Sequence, residues 1–322
     1  MDTLNRLRSV VSSPIKEGEL LASYTSFKIG GPAKYFCVAE STDDIVSLMG
    51  VAHKLKLPYF ILGSGTNVLV SDNGFDGLVI KINDNKLKVK DEKMECSSGA
   101  LLSKVVGQAL ASGLTGLEWA SGIPGTIGGA VCNNAGAYGG DMAGIVDMVE
   151  IIRDNKIKKL NNKKCGWAYR SSIFKSADNH DIILSITLNL KRGSKNEIKA
   201  KMDEIISQRK QKDDKYPSAG SVFKNIKLAP EEIKDFVSKY SDLPENFSAY
   251  ATIPAAWLIE QCNLKGKKIG GAMVSEKHAG RIINAGQATA EDVIILISVI
   301  KQKVRSNFNL QLMEEIEYKG FN

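Results

Sequence analysis

Apolar and polar positions follow two periods along this chain. Ile45, Leu48, Val51, Ala52 and Leu55 recur at helical spacing behind Ser41-Thr42-Asp43-Asp44, a capping pattern, which predicts a helix stopping before Pro58. Residues 59–62 read as a short apolar strand that runs straight into Gly63-Ser64-Gly65-Thr66-Asn67. Further strands are predicted at 68–70 and 78–80, around an Asp-Asn-Gly turn at 72–74, and strand-like alternation recurs at 87–89. A helix covers 101–111, with Gly113 as a left-handed cap. Beyond a glycine-dense stretch at 113–140, residues 146–152, Asp154-Asn155 and 157–160 read as a hairpin, and period two over 182–190 predicts one more strand.

The character changes near Gly193-Ser194, where a charged helix over 197–210 precedes a polar Lys/Asp segment ending at Pro217. The chain is therefore divided into 1–200 (core about 25–195) and 201–322. The second part holds three predicted helices, at 230–239, 255–262 and 289–305, the last opening with the capping spacing Thr289/Asp292. Strands and helices mix without a strict βαβα rhythm, so the expected fold class is α+β rather than doubly wound.

Composition narrows this little. The 322 residues are 43% hydrophobic and 25% charged, which excludes a disordered chain, a collagen-like fibre and a disulfide-stapled miniprotein. Forty-three Lys and Arg against 36 Asp and Glu leave a net charge of +7, which permits an anionic partner without requiring one. Cys37, Cys96, Cys132, Cys165 and Cys262 are odd in number and scattered, and read as free thiols in a reducing compartment. No signal-peptide core and no apolar run of about 18 residues is present, so a cytoplasmic protein with no membrane or nucleic-acid partner is expected.

The candidate chemistry begins with clustered glycine. Ser121, Gly122, Gly125, Thr126, Gly128 and Gly129 fall within nine positions, and the Gly63, Ser64, Gly65, Thr66, Asn67 run repeats the character after a strand. Backbone without Cβ atoms approaches a ligand closely and turns its N–H groups inward, as phosphate-cradling loops do. Two such loops suit a dinucleotide, although each taken singly also reads as a tight turn. Neither meets G-x-G-x-x-G cleanly and no Walker A follows, which disfavours the common nicotinamide and ATP sites. Arg170, between Tyr169 and two serines, offers a permanent charge and a forked donor set suited to a carboxylate, though taken alone a surface Arg is the commoner explanation. Ser221 sits at a small-residue turn that resembles a nucleophile elbow only superficially. His53, His180 and His278 fall in a helix, a turn and a loop without obvious partners, and no His or Cys spacing makes a metal site. At the C-terminal end, Met313, Glu315 and Glu317 would share a face if they lie in one strand, and an inward-facing carboxyl there would have a raised pKa and stay protonated as a donor.

Taken together these motifs resemble the UDP-N-acetylenolpyruvoylglucosamine reductase (MurB) family, flavoenzymes of bacterial cell-wall precursor synthesis. The resemblance runs from about residue 25 to residue 320. Its pieces are Thr25-Ser26-Phe27-Lys28-Ile29-Gly30-Gly31-Pro32-Ala33, the two glycine loops, Asn134-Ala135-Gly136-Ala137-Tyr138-Gly139, Tyr169-Arg170-Ser171-Ser172, Ala219-Gly220-Ser221-Val222-Phe223-Lys224-Asn225, Ile269-Gly270-Gly271-Ala272, Ser275-Glu276-Lys277-His278-Ala279-Gly280, and Glu315-Ile316. The modest length of the C-terminal part is similar to the shorter, second type of the family.

The resemblance implies an FAD-binding domain of the FAD-linked oxidase (PCMH/VAO-like) type, followed by a C-terminal α+β substrate domain. It implies non-covalent FAD held by the two loops, NADPH as hydride donor, and a UDP-sugar substrate in a ping-pong sequence performed by a monomer. Arg170, Ser221 and Glu315 match its catalytic positions: a charge for the enolate, a proton for C2 and a hydrogen bond to the oxyanion. Tyr169, Lys224, Asn225 and Lys212 match substrate contacts, with Lys210 an alternative to Lys212 and Lys224 or water a relay to Ser221. Departures are Arg281 where Phe is more usual, Ile226 where Pro is, Glu317 where a basic residue is, and a blurred basic-plus-Pro pattern over 210–217. The rival readings are an FAD-dependent oxidase of the same superfamily and a non-catalytic sugar-nucleotide-binding protein.

Overall fold

The computed structural model describes residues 2–154, 156–176, 181–240, 243 and 252–321; Asn155 of the expected hairpin turn and His180 lie outside them. The chain divides into two compact units. The first comprises Met1–Tyr24, Gly31–Thr66 and Asn73–Gln211, and the second Thr25–Gly30, Asn67–Asp72 and Lys212–Asn322.

In the first unit, the expected cap forms. Asp44 N donates to Ser41 Oγ and Ser41 N to the Asp44 carboxylate, both at 3.1 Å, opening the helix Thr42–Leu55. Its apolar stripe, Ile45, Leu48, Met49 and Ala52, is buried with Leu78 and Ile80 in one core cluster. That core belongs to a sheet with strand order Lys16–Leu20, Pro32–Ala39, Phe75–Ile82, Tyr59–Leu62, in which the last three run parallel. A second, antiparallel sheet orders Lys156–Asn161, Val146–Arg153, Ile182–Asn189, Lys93–Ser97 and Leu87–Lys90. It contains the hairpin and the strand read from the sequence. Leu102, Val105, Val106 and Ala109 of the helix Leu102–Ala111 share its core with Met94, Cys96, Ile186 and Leu188. The charged helix Lys195–Gln211 also counts with this unit: Ile198 and Ile205 are buried, and Met202 packs on the same core. The unit junction thus falls at Gln211/Lys212, where the sequence pattern alone divides the chain at 200/201.

The second unit centres on a four-stranded antiparallel sheet, Ser218–Ser221, Arg281–Asn284, Ala272–Val274 and Lys268–Ile269. The helix Ala290–Phe308 buries Val293, Leu296, Ile297, Ile300 and Val304 in this unit's core with Leu258 and Ile259 of the helix Ala255–Gln261. Two short N-terminal stretches complete it. Phe27, Ile29 and Leu69 lie in the same core, and Val68–Val70 pairs in parallel with Glu317–Lys319. Helices and sheets in both units, with antiparallel pairing predominant, make the fold α+β. Among the described residues no helix is long and apolar enough to cross a membrane.

Candidate active site

The two glycine loops of the first unit touch. A Cβ on Gly63 would come within 2.6 Å of Thr126 Oγ1, and one on Gly125 within 3.0 Å of Thr66 Oγ1, so the close approach requires residues without side chains. The second loop is fastened to the residues after the strand Lys93–Ser97: Leu102 N donates to Gly125 O, Ile127 N to Ala100 O and Gly128 N to Ser98 O, each at 2.9 Å. Thr126 caps the helix Ile127–Cys132 and accepts from Gly129 N. Lys81 Nζ donates to Gly63 O at 3.1 Å, and burial pushes the pKa of this lysine down. Two hydroxyls at these loops, Ser98 Oγ and Ser121 Oγ, are buried without a hydrogen-bond partner among the described residues. Such groups are rare, because an unmade bond costs about 1–3 kcal/mol. Backbone open to close approach and buried hydroxyls left unpaired fit a polar group with phosphates, the class the sequence expects.

Arg170 belongs to the same unit. Ser172 Oγ donates to Cys132 O at 2.7 Å and Lys175 Nζ to Asn133 Oδ1 at 2.6 Å, so its segment is pinned where the glycine-loop helix ends. Arg170 takes a left-handed φ of 54°, and its Nη1 donates to Gly136 O at 2.8 Å. Its guanidinium carbon lies 5.4 Å from the ring centroid of Tyr169, which is half exposed. Left-handed backbone at a non-glycine residue costs of the order of 1–3 kcal/mol and collects at functional sites.

In the second unit the structure brings Ser221 and Glu315 onto adjacent segments. Glu315 N donates to Val222 O at 2.7 Å, Lys224 N to Met313 O at 2.9 Å, and Phe223 bridges Glu314. Asn67, expected beside the cofactor, counts with this unit and donates from Nδ2 to Glu315 O at 3.2 Å, while Glu317 N donates to Asn67 O. Asn225 Oδ1 accepts from Ala255 N at 3.1 Å and so starts the helix Ala255–Gln261. Lys212 is exposed at the head of the unit's main stretch, and Lys224 is half-buried.

Three expectations need correction. Ser221, itself exposed, ends an edge strand, Ser218–Ser221, whose bulge and left-handed Gly220 (φ 75°) mimic a turn in the sequence. Met313, Glu315 and Glu317 do not share a strand face: residue 314 makes an isolated bridge and the strand begins only at Glu317, because the chain changes partner from Phe223 to Val68 there. His53 does have a partner, with Nε2 3.4 Å from Tyr59 Oη. His278 is held below its usual pKa by burial first and then by the charges of Arg281 and Lys212. Among the described residues no trio of His, Cys, Asp and Glu is placed to hold a metal ion.

Sequence reasoning missed Ser98 and Arg209. The small-residue run at 97–100, directly after a strand, was the available signal for Ser98. Arg209 comes from the charged helix: its guanidinium carbon stands 5.2 Å from the Tyr138 ring centroid, and its Cδ is 3.0 Å from where a Gly122 Cβ would lie. No local pattern marks it.

Residues 211–319 match the family model for the C-terminal domain of UDP-N-acetylenolpyruvoylglucosamine reductase, and residues 33–155 match that of an FAD-binding domain. A UDP-N-acetylenolpyruvoylglucosamine reductase of Clostridium novyi (strain NT) is 40% identical over 324 residues, covering 99% of this chain and 97% of the relative. One from Caldanaerobacter subterraneus subsp. tengcongensis is 42% identical over 314 residues, 95% of each chain. The crystal structure of UDP-N-acetylenolpyruvylglucosamine reductase (MurB) from Thermus caldophilus superposes with a TM-score of 0.75 at 31% identity, covering 95% of this chain and 99% of that one.

Proposed function

The chain belongs to the UDP-N-acetylenolpyruvoylglucosamine reductase family of FAD-dependent oxidoreductases, and from that premise we propose that it reduces UDP-N-acetylenolpyruvoylglucosamine to UDP-N-acetylmuramate, with NADPH as donor, in peptidoglycan precursor synthesis. Gly63 to Thr66, Ser121 to Gly129 and the buried Ser98 hydroxyl would hold FAD, without a covalent bond. Bound there, it would supply the hydride chemistry that links NADPH to C3 of the enolpyruvyl ether.

The chain's own residues then manage charge and protons. Hydride arrival drives negative charge into the enolpyruvyl carboxylate as an enolate. Arg170 sets a fixed positive charge against that oxyanion, its guanidinium steadied by a hydrogen bond to Gly136 O. Glu315, protonated, donates a hydrogen bond to it. Preorganised stabilisation of this kind is worth roughly 3–4 kcal/mol per donor. Ser221 passes its hydroxyl proton to C2, forming the C–H bond, and Lys224 or water resupplies it. Tyr169, Asn225 and Lys212 contact the sugar nucleotide.

The observation that supports this reading is the backbone pairing of the 221–224 and 313–315 segments, which makes neighbours of the two stretches, distant in sequence, that carry Ser221 and Glu315. The test separates the half-reactions under anaerobic conditions. NADPH bleaches the flavin absorbance of the purified yellow protein, and the enolpyruvyl substrate restores it. Ser221→Ala keeps the bleaching near normal and lowers turnover by about 10²- to 10⁴-fold, the usual worth of a general acid. Equal loss of both half-reactions removes Ser221 from the proton step, and a colourless protein that takes up no FAD removes the whole reading.

A further inference from the structure

Ser218–Ser221 runs antiparallel to Arg281–Asn284, and its bulge sets Ser221 directly opposite Arg281. Val222 N donates to Gly280 O at 2.9 Å, which continues the same register. Directly opposed residues of an antiparallel pair project from one face, with Cβ atoms about 4.5–5.5 Å apart. Arg281 therefore shares the face of the serine assigned to the proton step. Its family position more usually carries Phe, which offers no charge.

The surroundings of Arg281 are cationic. Its Nη1 meets Asp213 Oδ1 at 2.8 Å, in a pair whose carboxylate side chain is 66% exposed. Lys277 Nζ donates to the Asp213 carbonyl at 2.8 Å, and Lys212 is the preceding residue. Both Arg281 and Lys212 depress the pKa of His278, which places the two charges within electrostatic reach of one imidazole. Asp214 is already engaged by the Ser275 hydroxyl. Arg281 thus pairs with the Asp213 carboxylate, while Lys277 holds the carbonyl of the same residue. The Arg281 side chain is 21% exposed, so solvent screens the pair mainly from the side of the carboxylate. A forked guanidinium–phosphate contact is among the strong hydrogen bonds.

We propose that Arg281 is a substrate-binding residue which grips the diphosphate of the UDP-sugar, Asp213 being the partner that the diphosphate displaces. The inference rests on the reading of the chain as a UDP-sugar reductase and adds a contact specific to sequences with Arg here.

The test titrates the flavin-loaded protein with UDP and with uridine by calorimetry. Wild type binds UDP more tightly than uridine. Arg281→Phe weakens UDP by about tenfold to a hundredfold, the range for a charge-assisted contact, and leaves uridine unchanged. Arg281→Lys falls between, since a point charge keeps attraction without the fork. In turnover, KM for the UDP-sugar rises by the same factor in Arg281→Phe while kcat stays within about twofold of wild type, the split expected when ground-state and transition-state binding are lost together. Unchanged UDP affinity in Arg281→Phe, with wild type still preferring UDP to uridine, overturns the role of Arg281 alone. Equal loss of UDP and uridine also overturns it, by making the residue structural. Failure of wild type to bind UDP overturns the UDP-sugar reading, and this inference with it.

Discussion

At Gly128 a Cβ would lie 2.8 Å from both Cβ and the carbonyl oxygen of Ser98, atoms that cannot swing away. At Gly107, on the exposed face of the helix Leu102–Ala111, a Cβ would meet nothing within 4 Å. The two glycines therefore predict opposite outcomes for one substitution. Gly128→Ala forces the glycine loop off its anchor, destabilising by about 1–3 kcal/mol and lowering flavin retention on gel filtration. Gly107→Ala stabilises by about 0.5–1 kcal/mol, by removing backbone freedom from the unfolded chain, and leaves flavin content alone. Urea melts of the two variants check both; destabilisation by Gly107→Ala equal to that of Gly128→Ala would make the distinction wrong. This is also the scale at which the site is most legible in the sequence. A missing Cβ is a local property, so Gly63, Gly125 and Gly128 mark a loop open to close approach by their residue type alone. Ser98 and Arg209 cannot be found the same way, because what distinguishes them is a neighbour remote in sequence: Gly128 for the one, Tyr138 and Gly122 for the other.

Elements are legible where a side chain signals its own backbone. Ser41/Asp44 and Thr289/Asp292 each form the reciprocal capping box their spacing suggests. Short strands carry no such signal. Ala272–Val274 has three residues and Ser218–Ser221 is four residues with a bulge, too few for a period of two to register. The Thr289 box also carries a pH prediction. Asp292 accepts from the backbone N–H of Thr289 and from that of Gly271, in the neighbouring turn, at 3.1 and 3.0 Å. These bonds, Thr289 first, hold its carboxyl below the ordinary value of 3.8. A carboxyl harder to protonate when folded than when unfolded stabilises the native state above the unfolded value, and that contribution is lost as pH falls through the folded one. Asp292→Asn is therefore less stable than wild type at pH 6, and the gap narrows steadily below about pH 4. Urea midpoints at pH 6, 4 and 3 measure it; a gap independent of pH contradicts the assignment.

For the whole chain, the division of sequence into units is the least legible feature. Composition changes near residues 193–217, but nothing in composition says that Thr25–Gly30 and Asn67–Asp72 count with the C-terminal unit. The reason is energetic and non-local. Phe27 and Leu69 are fully buried in that unit's core and Ile29 is 2% exposed. At about 1.5–3 kcal/mol for each large apolar side chain, these three contribute roughly 5–9 kcal/mol, against a total stability of about 5–15 kcal/mol for a domain. The same stretches also make polar contacts. Val68–Val70 is the strand partner of Glu317–Lys319, and the Asp72 carboxylate accepts from Ala290 N at 2.8 Å, at the start of the longest helix in the unit. Cutting at the Gln211/Lys212 junction thus removes core, strand partner and cap together. A fragment spanning 212–322 is accordingly expected to show helical far-ultraviolet dichroism without a cooperative thermal transition, as a chain with secondary structure but no fixed core does. A permuted version that restores residues 25–30 and 67–72 regains a sharp melt. A sharp melt in the short fragment itself would mean that the buried Phe27 and Leu69 contribute far less than their area implies.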